Sequence, residues 1–205
     1  MPDTKPKTSK TVILSISLAL ALWLIALLTL VSWYQARYIS GFTEHSPLFL
    51  QAKDTQAWFT QLTPLLPPKT SGARVIQFWK PDCLCNRFAR PHAISAVKQA
   101  KSLGIEHITV IPASDLQQLT NLQALNPDTR IISLATHLLD TWPTSPSLLL
   151  EGPLGQLIYF GPLGFGAFCG QASTSVINSQ MTRLQQSTAK PFYNVLGKGC
   201  FCPWK

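Results

Sequence analysis

The stretch that decides the fold is RVIQFWKPDCLCNRFARPH, residues 74–92. It begins with an apolar run rich in β-branched and aromatic residues, which is typical of a buried strand. Pro81 and Asp82 follow as turn residues, and then come Cys83 and Cys85, one residue apart, ahead of a helical pattern. A helix N-terminus favours a thiolate because its amide groups are free to face an anion. The order of strand, turn, thiols and helix therefore predicts a redox or soft-metal thiol site.

This motif resembles the active-site motif of the thioredoxin-like superfamily. Phe78 and Trp79 end the strand, Cys83 follows after three further residues, and Pro91 lies eight residues beyond it, where the family has a helix-kinking proline. The resemblance implies that Cys83 is the nucleophile of thiol–disulfide exchange and that Cys85 resolves the mixed disulfide. The thiols of the family are usually separated by two residues, whereas those of this chain are separated by one. A Cys83–Cys85 bond therefore requires a non-helical turn, and we expect Asn86 to cap the helix after it.

A second resemblance lies at Pro146, which opens the apolar run of residues 147–150. A turn at residues 151–155 and a further strand at 156–160 follow it. In the family this proline is usually cis and presents a backbone edge beside the thiols, with which a substrate chain pairs. The resemblance therefore implies a cis Ser145–Pro146 bond and makes Pro146 a site residue.

The remaining cysteines are Cys169 and a second closely spaced pair, Cys200 and Cys202. The second pair has three interpretations: a mobile dithiol that passes electrons to the first pair, a structural link, or half of a four-sulfur copper or zinc site with Cys83 and Cys85. Cys169 lies in a glycine-rich loop and suits a structural or third-thiol role. We expect no cofactor for the redox function, and copper or zinc for the metal alternative.

An apolar segment near the start of the chain predicts a membrane anchor. Residues 12–33 are almost continuously apolar, and about 20 such residues span a bilayer as a helix. The lysines precede this span, so the positive-inside rule places residues 1–11 in the cytoplasm and the rest of the chain in the periplasm of a double-membraned bacterium. Hydrophobic residues make up 46% of the chain and charged residues only 13%, as expected when a span is included.

The pattern after the anchor predicts one domain with two flanking segments. Residues 34–72 read as a linker and packing helix, residues 73–188 as a thioredoxin-like domain, and residues 189–205 as a tail that carries the second cysteine pair. Strands and helices alternate before a final hairpin, which predicts an α/β fold with a mixed sheet flanked by helices. Further elements are expected as strands at 107–111 and 130–134, helices at 113–125 and 172–186, and a helical turn at 136–142.

These observations predict a periplasmic thiol–disulfide oxidoreductase held in the inner membrane through residues 12–33. The chain resembles membrane-anchored periplasmic thioredoxin-like proteins of Gram-negative bacteria, and the implied partners are protein or small-molecule thiols and disulfides. The alternatives are a Cu(I)- or zinc-binding chaperone module and a non-catalytic interaction domain. Lys and Arg outnumber Asp and Glu by 17 to 9, but no basic run with interleaved aromatics indicates a nucleic-acid partner.

Overall fold

A computed structural model describes residues 10–44, 46, 51–114, 119, 122–123, 129–166, 171–172 and 174–204. The chain divides into two compact units, Met1–Arg37 and Tyr38–Lys205. Helix α1, Lys10–Tyr38, accounts for the described part of the first unit. Its apolar segment, Lys10–Arg37, has a mean hydropathy of 2.6 and is long enough to cross a membrane, although a signal sequence passes the same test. The predicted span of residues 12–33 lies within it.

The second unit alternates short strands and helices. In chain order it contains β1 (Ile39–Gly41), α2 (Ala52–Leu62), a 3-10 turn (Thr63–Leu65), β2 (Arg74–Phe78), α3 (Asn86–Ser102), β3 (Glu106–Pro112), β4 (Arg130–Leu134), α4 (Thr136–Leu139), β5 (Ser147–Glu151), β6 (Leu157–Pro162), β7 (Gly164–Phe165), β8 (Gln171–Ala172), α5 (Thr174–Gln185), β9 (Phe192–Tyr193) and β10 (Lys198–Cys200).

Six strands form one mixed sheet in the order β4-β3-β2-β5-β6-β9. Strand β2 pairs in parallel with β3 and antiparallel with β5, which in turn pairs antiparallel with β6. Two small antiparallel pairs, β1 with β10 and β7 with β8, lie outside this sheet. The predicted α/β class, a mixed sheet flanked by helices and preceded by an apolar helix, is confirmed.

Both faces of the sheet are covered, and each face has its own apolar core. Along β2, Val75 packs into a core with residues of α3 and α5, while Ile76 and Phe78 pack into a second core with residues of α2 and the segment after α4. Trp142 anchors the second core, with its ring 3.8 Å from that of Phe78. A strand buried on both faces carries apolar side chains on both, which explains why the neighbouring residues Val75 and Ile76 are both apolar.

Most predicted elements are found close to their predicted positions. The exceptions are the start of α3 and the helix predicted at residues 113–125. Helix α3 begins at Asn86, and its N-cap residue, Cys85, makes no side-chain capping bond. The side-chain amide of Asn86 instead donates to the carbonyl of Lys80 at 2.7 Å. This hydrogen bond stabilises the turn before the helix. The expectation that Asn86 caps the helix is therefore wrong. The helix predicted at residues 113–125 falls largely outside the described residues.

A buried histidine makes the stability of the domain sensitive to acid. His107 lies on β3, and burial lowers its pKa from 6.5 to about 4. A lowered folded-state pKa means that folding favours the neutral imidazole, so stability is full above the unfolded pKa near 6.5 and is lost as the pH falls towards 4. The linked loss is roughly 3 kcal/mol.

We therefore expect His107→Gln to lose less stability than wild type between pH 7 and pH 4, as measured by urea unfolding at each pH. His137→Gln is the matched control because His137 is an exposed histidine, and it should keep the wild-type dependence on pH. If the free energy of unfolding depends on pH equally in wild type and His107→Gln, burial of His107 is not the source of the acid sensitivity.

Candidate functional site: a centre of two disulfides

The turn after β2 places both cysteines of the first pair at the start of α3. The Trp79 amide donates to the Val110 carbonyl at 2.9 Å and holds the end of β2 against β3. The Cys83 amide then donates to the Lys80 carbonyl at 3.0 Å, which closes the turn that contains Pro81 and Asp82. Cys83 precedes the helix by three residues, and Cys85 is the residue before its first turn. The predicted order of strand, turn, thiols and helix is therefore present.

The two cysteine pairs are bonded to each other. Cys83 bonds to Cys202, with Cα atoms 5.8 Å apart, and Cys85 bonds to Cys200, with Cα atoms 5.5 Å apart. Both separations are ordinary for disulfides. The Cys83–Cys85 bond considered from the sequence is absent, because the second pair runs antiparallel beside the first and offers each cysteine a facing partner.

The peptide bond between Ser145 and Pro146 is cis, which confirms the prediction made from the resemblance. Ser145 forms an antiparallel bridge with Cys202: its amide donates to the Cys202 carbonyl at 2.9 Å, and the Cys202 amide donates back at 2.8 Å. The Cys83 sulfur lies 3.8 Å from the Ser145 carbonyl oxygen. The backbone edge before Pro146 is thus beside the thiols, and the tail of the same chain is paired with it.

Burial differs across the four sulfur-bearing residues. Cys83, Cys85 and Cys200 expose 6%, 1% and 0% of their surface, while Cys202 is half-buried. Cys83 is slightly more exposed than Cys85, but little of it is accessible while its sulfur is bonded to the tail. In this disulfide state Cys202 is therefore the most accessible of the four residues.

The sulfurs of the two disulfides also lie close to each other. The Sγ atoms of Cys85 and Cys202, which are not bonded, are 3.9 Å apart. Together with the Cys83 sulfur they fall within 4.8 Å of one another. Because Cys200 is bonded to Cys85, all four sulfurs form one centre.

The Lys80 ammonium donates to the Pro203 carbonyl at 3.1 Å, which places a positive charge next to the tail.

The tail is packed into the domain. Strand β10 pairs with β1, and the Phe42 amide donates to the Gly197 carbonyl at 2.9 Å. A Cβ atom at Gly197 would lie only 1.7 Å from the ring of Phe165, so a glycine is needed for this close approach. The interpretation of the second pair as a mobile dithiol is therefore wrong for the oxidised state. The aromatic residues Phe201 and Trp204 are both buried, and their presence in the tail was the sequence signal that could have indicated a packed tail.

Cys169 lies outside the described residues, so its predicted structural or third-thiol role stays a prediction. Pro146 and the four other cysteines are brought together at one place. The association of the second pair with the first is a result that the sequence left open.

The fold and the site define a mixed α/β domain with a buried two-disulfide centre. The chain belongs to the family described as a domain of unknown function (DUF6436), which it matches over residues 53–204. No curated protein is significantly similar to the chain.

Solved structures with a similar fold include two proteins without an assigned activity. A hypothetical protein from Sinorhizobium meliloti is 12% identical, with a TM-score of 0.50 over 64% of this chain and 78% of that one. An uncharacterised conserved protein from Geobacillus kaustophilus is 13% identical, with a TM-score of 0.44 over 65% of this chain and 77% of that one. The first of these likenesses supports the fold alone.

Proposed function

We propose that this chain is a thiol–disulfide oxidoreductase of the thioredoxin-like kind. The observation that carries the proposal is the way in which Cys202 is held. Its sulfur is bonded to Cys83 at the start of α3, and its backbone is paired with Ser145 beside the cis Pro146. A cysteine-containing peptide caught as a mixed disulfide would need the same two attachments, one covalent and one through the backbone.

The arrangement of the sheet supports the proposal. Strand β2 leads into the cysteines, α3 returns to the parallel strand β3, and the antiparallel hairpin of β5 and β6 follows the cis proline. This is the order that the resemblance implies.

The reaction that we propose begins at the accessible disulfide. A thiolate of a partner dithiol attacks the Cys202 sulfur, forms a mixed disulfide and releases Cys83 as a thiolate. The second thiol of the partner then attacks the partner sulfur that is bonded to Cys202. This forms the partner's disulfide and releases Cys202 as a thiolate. The partner leaves as a disulfide, having lost two electrons and two protons, and the Cys83–Cys202 pair has gained them.

An internal exchange then moves the buried disulfide towards the surface. The Cys202 thiolate starts 3.9 Å from the Cys85 sulfur. Its attack forms a Cys85–Cys202 bond and releases Cys200 as a thiolate, so one disulfide is broken and one is made. The second oxidising equivalent is then carried by the half-buried Cys202, and the centre accepts four electrons in total.

The cellular setting of the proposal is the periplasmic face of the inner membrane. Lys5, Lys7 and Lys10 precede the apolar residues 12–33, which favours a cytoplasmic N-terminus. An oxidising compartment on the other side would keep both disulfides formed. Protein or small-molecule thiols of that compartment are the proposed partners.

The test is a redox titration of the full-length chain in detergent, equilibrated in glutathione buffers and read by the mass of alkylated cysteines. We expect two couples, each transferring two electrons, with at least one potential above the value of about −300 mV below which structural disulfides lie. Cys83→Ser should remove one couple and keep the other. This loss follows because the variant retains three of the four sulfurs and therefore only one disulfide.

Cys169→Ser is the matched control, since Cys169 takes no part in either disulfide, and it should leave both couples unchanged. If both couples lie below about −300 mV, the bonds are structural and the non-catalytic interaction domain becomes the better interpretation.

A further inference from the structure

We infer that the four cysteines, once reduced, form a binding site for a single zinc ion. This inference does not rest on the proposed exchange activity, because it concerns the reduced thiols alone. The site would be built from Cys83, Cys85, Cys200 and Cys202.

The spacing of the sulfurs is close to that of a tetrahedral zinc site. Zinc binds four thiolates tetrahedrally at about 2.3 Å, which sets neighbouring sulfurs about 3.8 Å apart. The Cys85 and Cys202 sulfurs are already separated by 3.9 Å. Reduction breaks both S–S bonds, and the sulfurs of each pair must then separate to that tetrahedral edge. Rotation about the Cα–Cβ bonds is the movement that separates them.

The backbone that carries the sulfurs is held by bonds that do not depend on the disulfides. The two hydrogen bonds between Ser145 and Cys202 fix one end of the tail, and the pairing of Cys200 with Ile39 fixes the other. On the opposite side, the Asn86 amide holds the turn before α3 through the Lys80 carbonyl. The thiols therefore stay close together after reduction, so the site is preorganised.

The surroundings suit a thiolate-bound ion. Cys83, Cys85 and Cys200 are buried, which excludes competing water from the site. Four thiolates and one zinc ion carry a net charge of −2, and the ammonium of Lys80, fixed at the Pro203 carbonyl, offsets part of it. The binding of zinc and the formation of disulfides exclude each other at this centre because both use the same sulfurs.

Reduction of the centre precedes the binding of zinc. Two molecules of a dithiol reductant supply four electrons and four protons, break both disulfides and leave as two disulfides. The four thiols then lose their protons as zinc binds.

The experiment uses the full-length chain in detergent, reduced with a phosphine and titrated with zinc against a chromophoric chelator. We expect one zinc ion per reduced chain and no binding to the oxidised chain. Cys200→Ser and Cys202→Ser should each weaken binding by more than the 10- to 100-fold loss typical of changes next to metal ligands. Cys169→Ser should bind zinc as wild type does.

Two results would overturn the inference: a reduced wild-type chain that binds no zinc, or zinc affinity that survives in both serine variants. The comparison of the reduced and oxidised wild type needs no variant, and because zinc binding itself contributes folding free energy, it decides the question even though reduction destabilises the domain. Binding of Cu(I) in the absence of zinc binding would also reject the four-coordinate site. A failure here leaves the redox couples unaffected, so it is distinguishable from failure of the oxidoreductase proposal.

Discussion

Removal of both disulfides should destabilise the domain by roughly 7 kcal/mol, whereas removal of either one alone should cost only roughly 2 kcal/mol. The reason is that both bonds join the same two segments, which lie 119 and 115 residues apart in the chain. Either bond closes the long loop, and this closure contributes about 5 kcal/mol in the chain-entropy description. The second bond then closes only a small ring between neighbouring cysteines.

The measurement is a double-mutant cycle by denaturant unfolding in the oxidised state. One variant lacks the Cys85–Cys200 pair, a second lacks the Cys83–Cys202 pair, and a third lacks all four cysteines, each replaced by alanine. Paired removal leaves no unpartnered thiol at the centre that could exchange. A cost for the third variant that equals the sum of the first two would reject the shared-loop explanation.

Glu151→Ala should lower the free energy of unfolding by about 3–5 kcal/mol. Glu151 and Arg74 form an ion pair between β5 and β2, with side chains only 1% and 2% exposed. The guanidinium also donates to the Pro67 carbonyl at 2.8 Å. Loss of the carboxylate leaves a buried positive charge without its counter-ion, which is the costly case for an ion pair.

Lys69→Ala provides the matched control because Lys69 contacts the same carboxylate at 3.2 Å from a side chain that is 25% exposed. A partly exposed partner is worth about 1 kcal/mol or less. Urea unfolding of both variants at pH 7 measures the difference. Similar losses for the two would mean that burial does not decide the strength of this network.

Local sequence was sufficient for much of the fold. The apolar residues Val75, Ile76 and Phe78 predict the buried strand β2, and Gly104, at a φ of 64°, follows the last turn of α3 as expected of a helix stop. The position of the cis proline followed from Ser145 and Pro146 by resemblance. Each of these features depends on residues that are near one another in the chain.

The connectivity of the centre could not be obtained in the same way. Four cysteines allow three pairings, and the choice between them depends on where the tail lies. That placement comes from contacts distant in sequence, such as the pairing of β10 with β1 and the packing of Phe201 and Trp204 in the second core. A short glycine-containing tail has no periodic pattern that reveals those contacts.

The pairing of β1 with β10 means that the first and last strands of the domain meet, which affects its synthesis. Cys85 leaves the ribosome 115 residues before its partner Cys200, an interval of roughly 6–23 s at about 5–20 residues per second. Until Cys169 emerges within that interval, Cys83 and Cys85 have only each other as cysteine neighbours in the nascent chain. Premature oxidation would therefore join them in a non-native bond, and a newly made chain would need a disulfide isomerase or reductant to reach its final state.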